Sequence, residues 1–215
     1  MSKNTPTLRA TWEKVGGLSK PSKMPGYGYS ISAKKCHVGS RLRKIENSVC
    51  STCYALKGRY VFDNVKKAHA NRFRAMKRKD WKPNMIRLIN HYCQKEPYFR
   101  WHDAGDLQSI DHLKDIVDIC RETPTVNHWL PTREYQMVKE YLATYKDVPS
   151  NLVIRLSAHM IEGSQAPTIP GTVKSEVYRA TPKGHSCPAR TQDNECGPCR
   201  ACWNPAVQIV SYPVH

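Results

Sequence analysis

Apolar residues along this chain repeat with two periods. Phe62, Val65, His69, Phe73 and Met76 are spaced 3, 4, 4 and 3 apart, which predicts one face of a helix. After Pro83, Met85, Ile89, Tyr92 and Cys93 mark a second helix. Ile110, Leu113, Val117 and Cys120, behind Ser109 as a helix cap, mark a third. Tyr135, Val138, Leu142 and Tyr145 mark a fourth. On these stripes His69, Cys93 and Cys120 read as packed core residues. Short apolar runs at 27–32, 98–101, 125–130, 151–156, 172–178 and 207–212 predict strands. Strands alternating with helices of about a dozen residues predict an α/β fold with a parallel sheet. The helices are too few for a closed eight-fold barrel, so the expected architecture is a partial or open (β/α) barrel-like sheet. Residues 1–25 hold Pro6, Gly16, Gly17, Pro21 and Pro25 and read as an irregular lead-in. The core domain is then 26–180, and 181–215 is a cysteine-rich, cluster-binding segment packed on it.

In parallel α/β folds, sites form beyond the carboxyl ends of the strands. His102, Asp103 and Asp106 follow the second predicted strand, in the run HDAGD. Arg133 and Glu134 follow the third; Arg155, Ser157 and His159 lie on or after the fourth. These loops should open on one rim, with His102, Asp103, Asp106 and Arg133 as candidate catalytic residues and Arg155, Ser157 and His159 as candidate cofactor-binding residues. The plainer reading of HDAGD is a turn with a helix-capping acid.

The cysteines carry the most specific signal. Cys187, Cys196, Cys199 and Cys202 are spaced C-x8-C-x2-C-x2-C, so three thiols converge from one tight loop at Gly197-Pro198. This set suits a [4Fe-4S] cluster, with structural zinc and a disulfide pair as alternatives. The C-x2-C-x2-C triplet, and the lack of a histidine at zinc-finger spacing, favour iron. Cys36, Cys50 and Cys53, at C-x13-C-x2-C, form a second group one ligand short of closure. Either a fourth ligand comes from elsewhere or one iron is left open. If there is a single cluster, the complete C-terminal quartet is its expected holder.

Charge adds a partner class. The chain has 34 Lys and Arg against 18 Asp and Glu, a formal charge of +16. Between Lys57 and Lys82 there are ten bases and two acids. Such a run is usually a solvated helix face, but beside a cysteine loop it also suits phosphates, so nucleic acid is the expected partner. No export signal and no apolar run of about 18 residues is visible, which predicts a cytoplasmic protein (host cytoplasm if phage-encoded) with no membrane partner. In that reducing compartment thiols bind metals more often than they pair.

The segments CHVGSRLRKIENSVCSTCYA, FRWHDAGDLQS and CGPCRACWNPAVQIVSYPVH resemble an uncharacterised family of phage proteins described as gene product 88, over roughly residue 30 to the end. A more distant similarity is to radical S-adenosylmethionine enzymes, which carry a three-cysteine loop after the first strand of a partial barrel. That similarity implies an open [4Fe-4S] cluster on Cys36, Cys50 and Cys53, S-adenosylmethionine as cofactor with its methionyl amine near HDAGD, and an auxiliary C-terminal cluster. Those enzymes separate their first two cysteines by three residues, whereas thirteen stand here. The expected function is an iron–sulfur protein with a redox or radical role. The alternatives are a basic nucleic-acid-binding protein with a structural metal and a non-catalytic redox sensor.

Overall fold

The structure is a computed structural model that describes residues 6–214; the first five residues of the expected lead-in, and His215, lie outside it. Seven strands form one sheet: β1 (Tyr27–Tyr29), β2 (Tyr98–Trp101), β3 (Asn127–Thr132), β4 (Leu152–Ile161), β5 (Val173–Tyr178), β6 (His185–Ser186) and β7 (Ile209–Pro213). Their order is β1-β2-β3-β4-β5-β7-β6, every neighbouring pair is parallel, and the sheet does not close. The expected open parallel α/β fold is therefore present.

Among the described residues six α-helices accompany the sheet: α1 (Leu8–Val15), α2 (Val38–Leu42), α3 (Asp63–Ala75), α4 (Trp81–Tyr92), α5 (Ile110–Arg121) and α6 (Tyr135–Tyr145). Side chains alternate across a strand, and the two faces differ. Tyr29, Phe99, Trp101, Leu130, Leu152, Ile154 and Leu156 meet buried residues of α1, α3, α4, α5 and α6 in the main core. On the other face Trp129 and Val210 pack with Ala201, Cys202 and Trp203 of the cysteine-rich loop.

Two expectations need correction. Residues 8–15 are not an irregular lead-in but a helix, capped by Thr7, whose side chain accepts a hydrogen bond from Ala10 N, and stopped by Gly16 at φ 76°. Val15 is fully buried in the main core, and the Tyr29 hydroxyl lies 2.7 Å from its carbonyl. The expected apolar stripe of α3 is also rotated. His69, Arg72 and Ala75 face inward while Phe62 is exposed, because Arg72 spends its guanidinium on the Gly17 and Ser30 carbonyls and so packs as a core residue. The 181–215 segment supplies β6 and β7, so it completes the sheet as well as covering it.

Candidate functional site

The first cysteine loop is tied to the sheet at several points. Cys36 follows β1 through a short turn, Ala33–Lys35. Thirteen residues then carry the chain to the far side of the rim, where Ser48 forms an antiparallel bridge with Met160. Val49 N donates to His159 O at 2.8 Å and Ile161 N to Asn47 O at 2.9 Å. The long spacing before Cys50 is thus the path from β1 to β4. Glu134, at the end of β3, accepts from Val38 N at 2.9 Å and holds α2 from beneath. Gly39 sits between the thiols: a Cβ there would lie 3.5 Å from Cys50 Sγ and 3.6 Å from Cys36 Sγ.

Burial pushes the Cys36 and Cys50 thiols up. Asp106 and the neighbouring thiols add to the rise, and the Arg133 guanidinium opposes it. Cys53 lies within electrostatic reach of both.

HDAGD flanks this loop. Gly105, at φ 81°, takes a conformation that favours glycine, and a Cβ on it would meet Ile31 Cγ1 at 2.3 Å. Ile31 N donates to Ala104 O at 3.2 Å. Asp103 Oδ2 accepts from Tyr60 Oη at 3.0 Å, its carbonyl accepts from Tyr54 Oη, and its buried Oδ1 has no partner. Asp106 is buried and fully engaged: Oδ1 accepts from Leu107 N at 2.8 Å and Thr132 Oγ1 at 2.6 Å, Oδ2 from Arg133 N at 3.0 Å. Burial raises its pKa against these bonds. His102, at φ 56°, turns its ring edge-on to His112 of α5 at 5.3 Å, and neither ring nitrogen finds a partner. The rim therefore gathers Asp103, Asp106 and Arg133 beside the three cysteines, while His102 packs against α5.

The residues on and after β4 have separate places. Ser157 Oγ accepts from Ser175 Oγ at 3.2 Å. His159 stacks flat on Tyr135 at 4.3 Å, with Nε2 3.3 Å from Arg133 O. Arg155, completely buried, donates to four carbonyls: Lys174 at 2.7 Å, Val207 at 3.0 Å, Ala201 at 3.1 Å and Asn204 at 3.3 Å. It clamps the loop that carries Cys202 onto β4 and β5.

Of the C-terminal cysteines, Cys199 and Cys202 pack on the sheet face opposite the helices. Cys187 N donates to Ser211 O of β7 at 2.8 Å, and Cys196 N to Lys23 O at 2.9 Å. Cys202 Sγ lies 3.1 Å from Tyr212 Oη, and burial pushes its thiol up to about 11. Cys196 and Cys202 both lie within electrostatic reach of Cys187 and Arg100. His185 Nε2, 3.5 Å from Cys199 Sγ, is a neighbour the sequence reading missed; its place two residues before Cys187 was the available signal. All nine cysteines are free thiols, so the disulfide alternative is not present. Among the described residues, no group of three or more His, Cys, Asp or Glu is arranged to hold a metal ion.

Arg100 stands between the two cysteine groups. Its guanidinium lies 4.4 Å over the Trp129 ring, its Nε is buried without a partner, and Nη1 reaches the Met24 sulfur at 3.9 Å. Its charge acts on Asp103, Tyr54 and Tyr60 on one side and on Cys196, Cys202 and Tyr212 on the other.

A protein-family model described as Gene product 88 matches residues 1–206. The chain belongs to the gene product 88 family. No curated protein and no solved structure matches it. The match takes in both cysteine groups and HDAGD. Among the described residues no helix is long and apolar enough to cross a membrane.

Proposed function

We propose that this gene product 88 protein is an iron–sulfur protein with two cluster sites on one parallel sheet. The observation that supports the proposal is at Gly39, where two free thiols fourteen positions apart, Cys36 and Cys50, both stand within 3.6 Å of the point a Cβ would occupy. The C-x2-C-x2-C triplet of the second group is a spacing that suits a cluster.

Cys36, Cys50 and Cys53 would hold one [4Fe-4S] cluster, and Cys187, Cys196, Cys199 and Cys202 a second. Held by three thiolates, a cluster supplies one iron free to take a ligand and electrons to pass to it. Arg133 offsets negative charge at Cys36 and Cys50. Asp106 fixes the loop that carries Arg133 through its backbone bond. Asp103 presents an unpaired carboxylate oxygen beside the loop. Arg100 offers an unpaired donor on the face between the two sites. S-adenosylmethionine is the ligand that the distant family resemblance implies for the open iron, and a radical reaction is the finer reading.

Anaerobic purification, with iron and sulfide content and an absorption spectrum, tests the proposal. About eight irons per chain with a broad visible shoulder support two clusters, and about four support one. Changes of Cys36 and Cys199 to Ala then locate each. Colourless protein holding zinc after anaerobic reconstitution overturns the proposal. A spectrum that S-adenosylmethionine leaves unchanged removes the radical reading alone.

A further inference from the structure

We infer that the surface around the first cysteine loop docks single-stranded nucleic acid. Residues 34–67 carry nine Lys and Arg and two acids. Among the described residues, only Lys66 of those nine forms an ion pair, with Asp63 at 3.1 Å. The contrast is α4 and α5, where Lys82, Lys114 and Arg121 are neutralised by Asp115, Asp118 and Asp147. Positive charge is therefore left uncompensated at the cysteine loop, the arrangement a polyanion fits.

Exposed rings stand among these bases. Tyr54 is 53% exposed and Phe62 57%. The Tyr54 ring packs edge-on to Tyr60 at 5.7 Å, which keeps it beside the turn that leads to Phe62. Tyr54 Oη is bonded inward to Asp103 O, which fixes the ring's position. Phe62 makes no comparable bond and caps the start of α3 through its backbone. Aromatic rings in a basic surface stack on unpaired bases, whose faces a duplex conceals. An anionic membrane would ask for a continuous apolar helix face. Here the exposed apolar residues fall on three short segments, at Ile45, at Tyr54 and at Val61-Phe62, with charges between them. The docking surface needs no cluster, so its failure and that of the iron–sulfur proposal are separately visible.

The test is fluorescence anisotropy of the full chain with a labelled single-stranded oligonucleotide, a hairpin duplex of equal length, and vesicles of phosphatidylserine and phosphatidylcholine. The single strand is expected to bind more tightly than the duplex, with a logarithmic salt slope of about −0.7 for each phosphate contacted. Phe62→Ala, and separately Tyr54→Leu, should weaken single-strand binding about tenfold each while leaving duplex binding unchanged. Lys57→Glu with Arg59→Glu should weaken both. Circular dichroism of each variant separates lost binding from lost folding. Equal affinity for duplex and single strand with no effect of Phe62→Ala, binding to the vesicles alone, or no binding at low salt overturns the inference.

Discussion

Glu134 Oε1 and Val38 N, ninety-six positions apart in sequence, are joined by a 2.9 Å hydrogen bond that fixes the first cysteine loop to the end of β3. Glu134→Ala leaves the Val38 amide without this acceptor in a partly buried place, a loss of about 1–3 kcal/mol. The expected result is faster hydrogen exchange at Val38 and lower iron uptake at the first site, with Glu134→Gln retaining most of both. Unchanged exchange at Val38 in Glu134→Ala would remove the proposed holding role.

Gly39 offers a sharper test of the same site. Gly39→Ala places a methyl group 3.0 Å from Cys36 Cβ and close to two thiols. Iron content should fall by about one cluster, while the circular dichroism spectrum keeps its α/β form. Full iron content in Gly39→Ala would show that the gap is not used.

Arg155 and Arg100 predict different outcomes for the same change. Arg155→Leu strips four carbonyls of their donor and should cost about 3–5 kcal/mol, releasing the loop that carries Cys202. Arg100→Leu strips no carbonyl of its donor but removes the guanidinium over the Trp129 ring and beside Asp103, and should cost less, about 1–2 kcal/mol. Denaturant unfolding of the two variants decides this. Equal losses would mean that Arg100 is a structural clamp as well.

His112 and His128 set the acid limit. Burial lowers each to about 3, from an ordinary value of 6.5. The unfolded chain then binds more protons than the folded one between those values, so stability is complete above the ordinary histidine range and is lost as pH falls. Each histidine contributes a loss of about 1.4 kcal/mol per pH unit across that window. His112→Leu should move the acid unfolding midpoint to lower pH, as followed by tryptophan fluorescence. A midpoint that stays in place would assign acid sensitivity to other groups.

Much of the fold is legible in the chain because α4 and α5 each bury one continuous stripe; in α6 Val138 is buried as expected, but Tyr141 takes the core place and Tyr145 is exposed. The strand pattern is legible for a similar reason: Phe99 and Trp101 face the helices while Tyr98 and Arg100 face away. α3 misleads because Arg72, a charged residue, takes a core position by bonding two carbonyls, which periodicity of apolar residues does not register. α1 was hidden by the prolines and glycines around it, although Thr7 and Gly16 are proper start and stop signals. The rim placement of Asp103, Asp106 and Arg133 follows from strand ends, which sequence marks well. The inward turn of His102 depends on one positive φ angle, and the role of Glu134 depends on a long-range partner; neither leaves a local trace.

The strand order also imposes a timetable. β7 lies between β5 and β6, so β6 has no described neighbour until Ile209–Pro213 has been synthesised and has docked. Cys187 hangs from Ser211, and Cys202 from the loop that Arg155 locks against Val207. The first thiol group, by contrast, rests on β1, β3 and β4, all made earlier. The strands that anchor the first thiol group are therefore all made before β7, and a chain that ends before residue 209 lacks the anchors of the second.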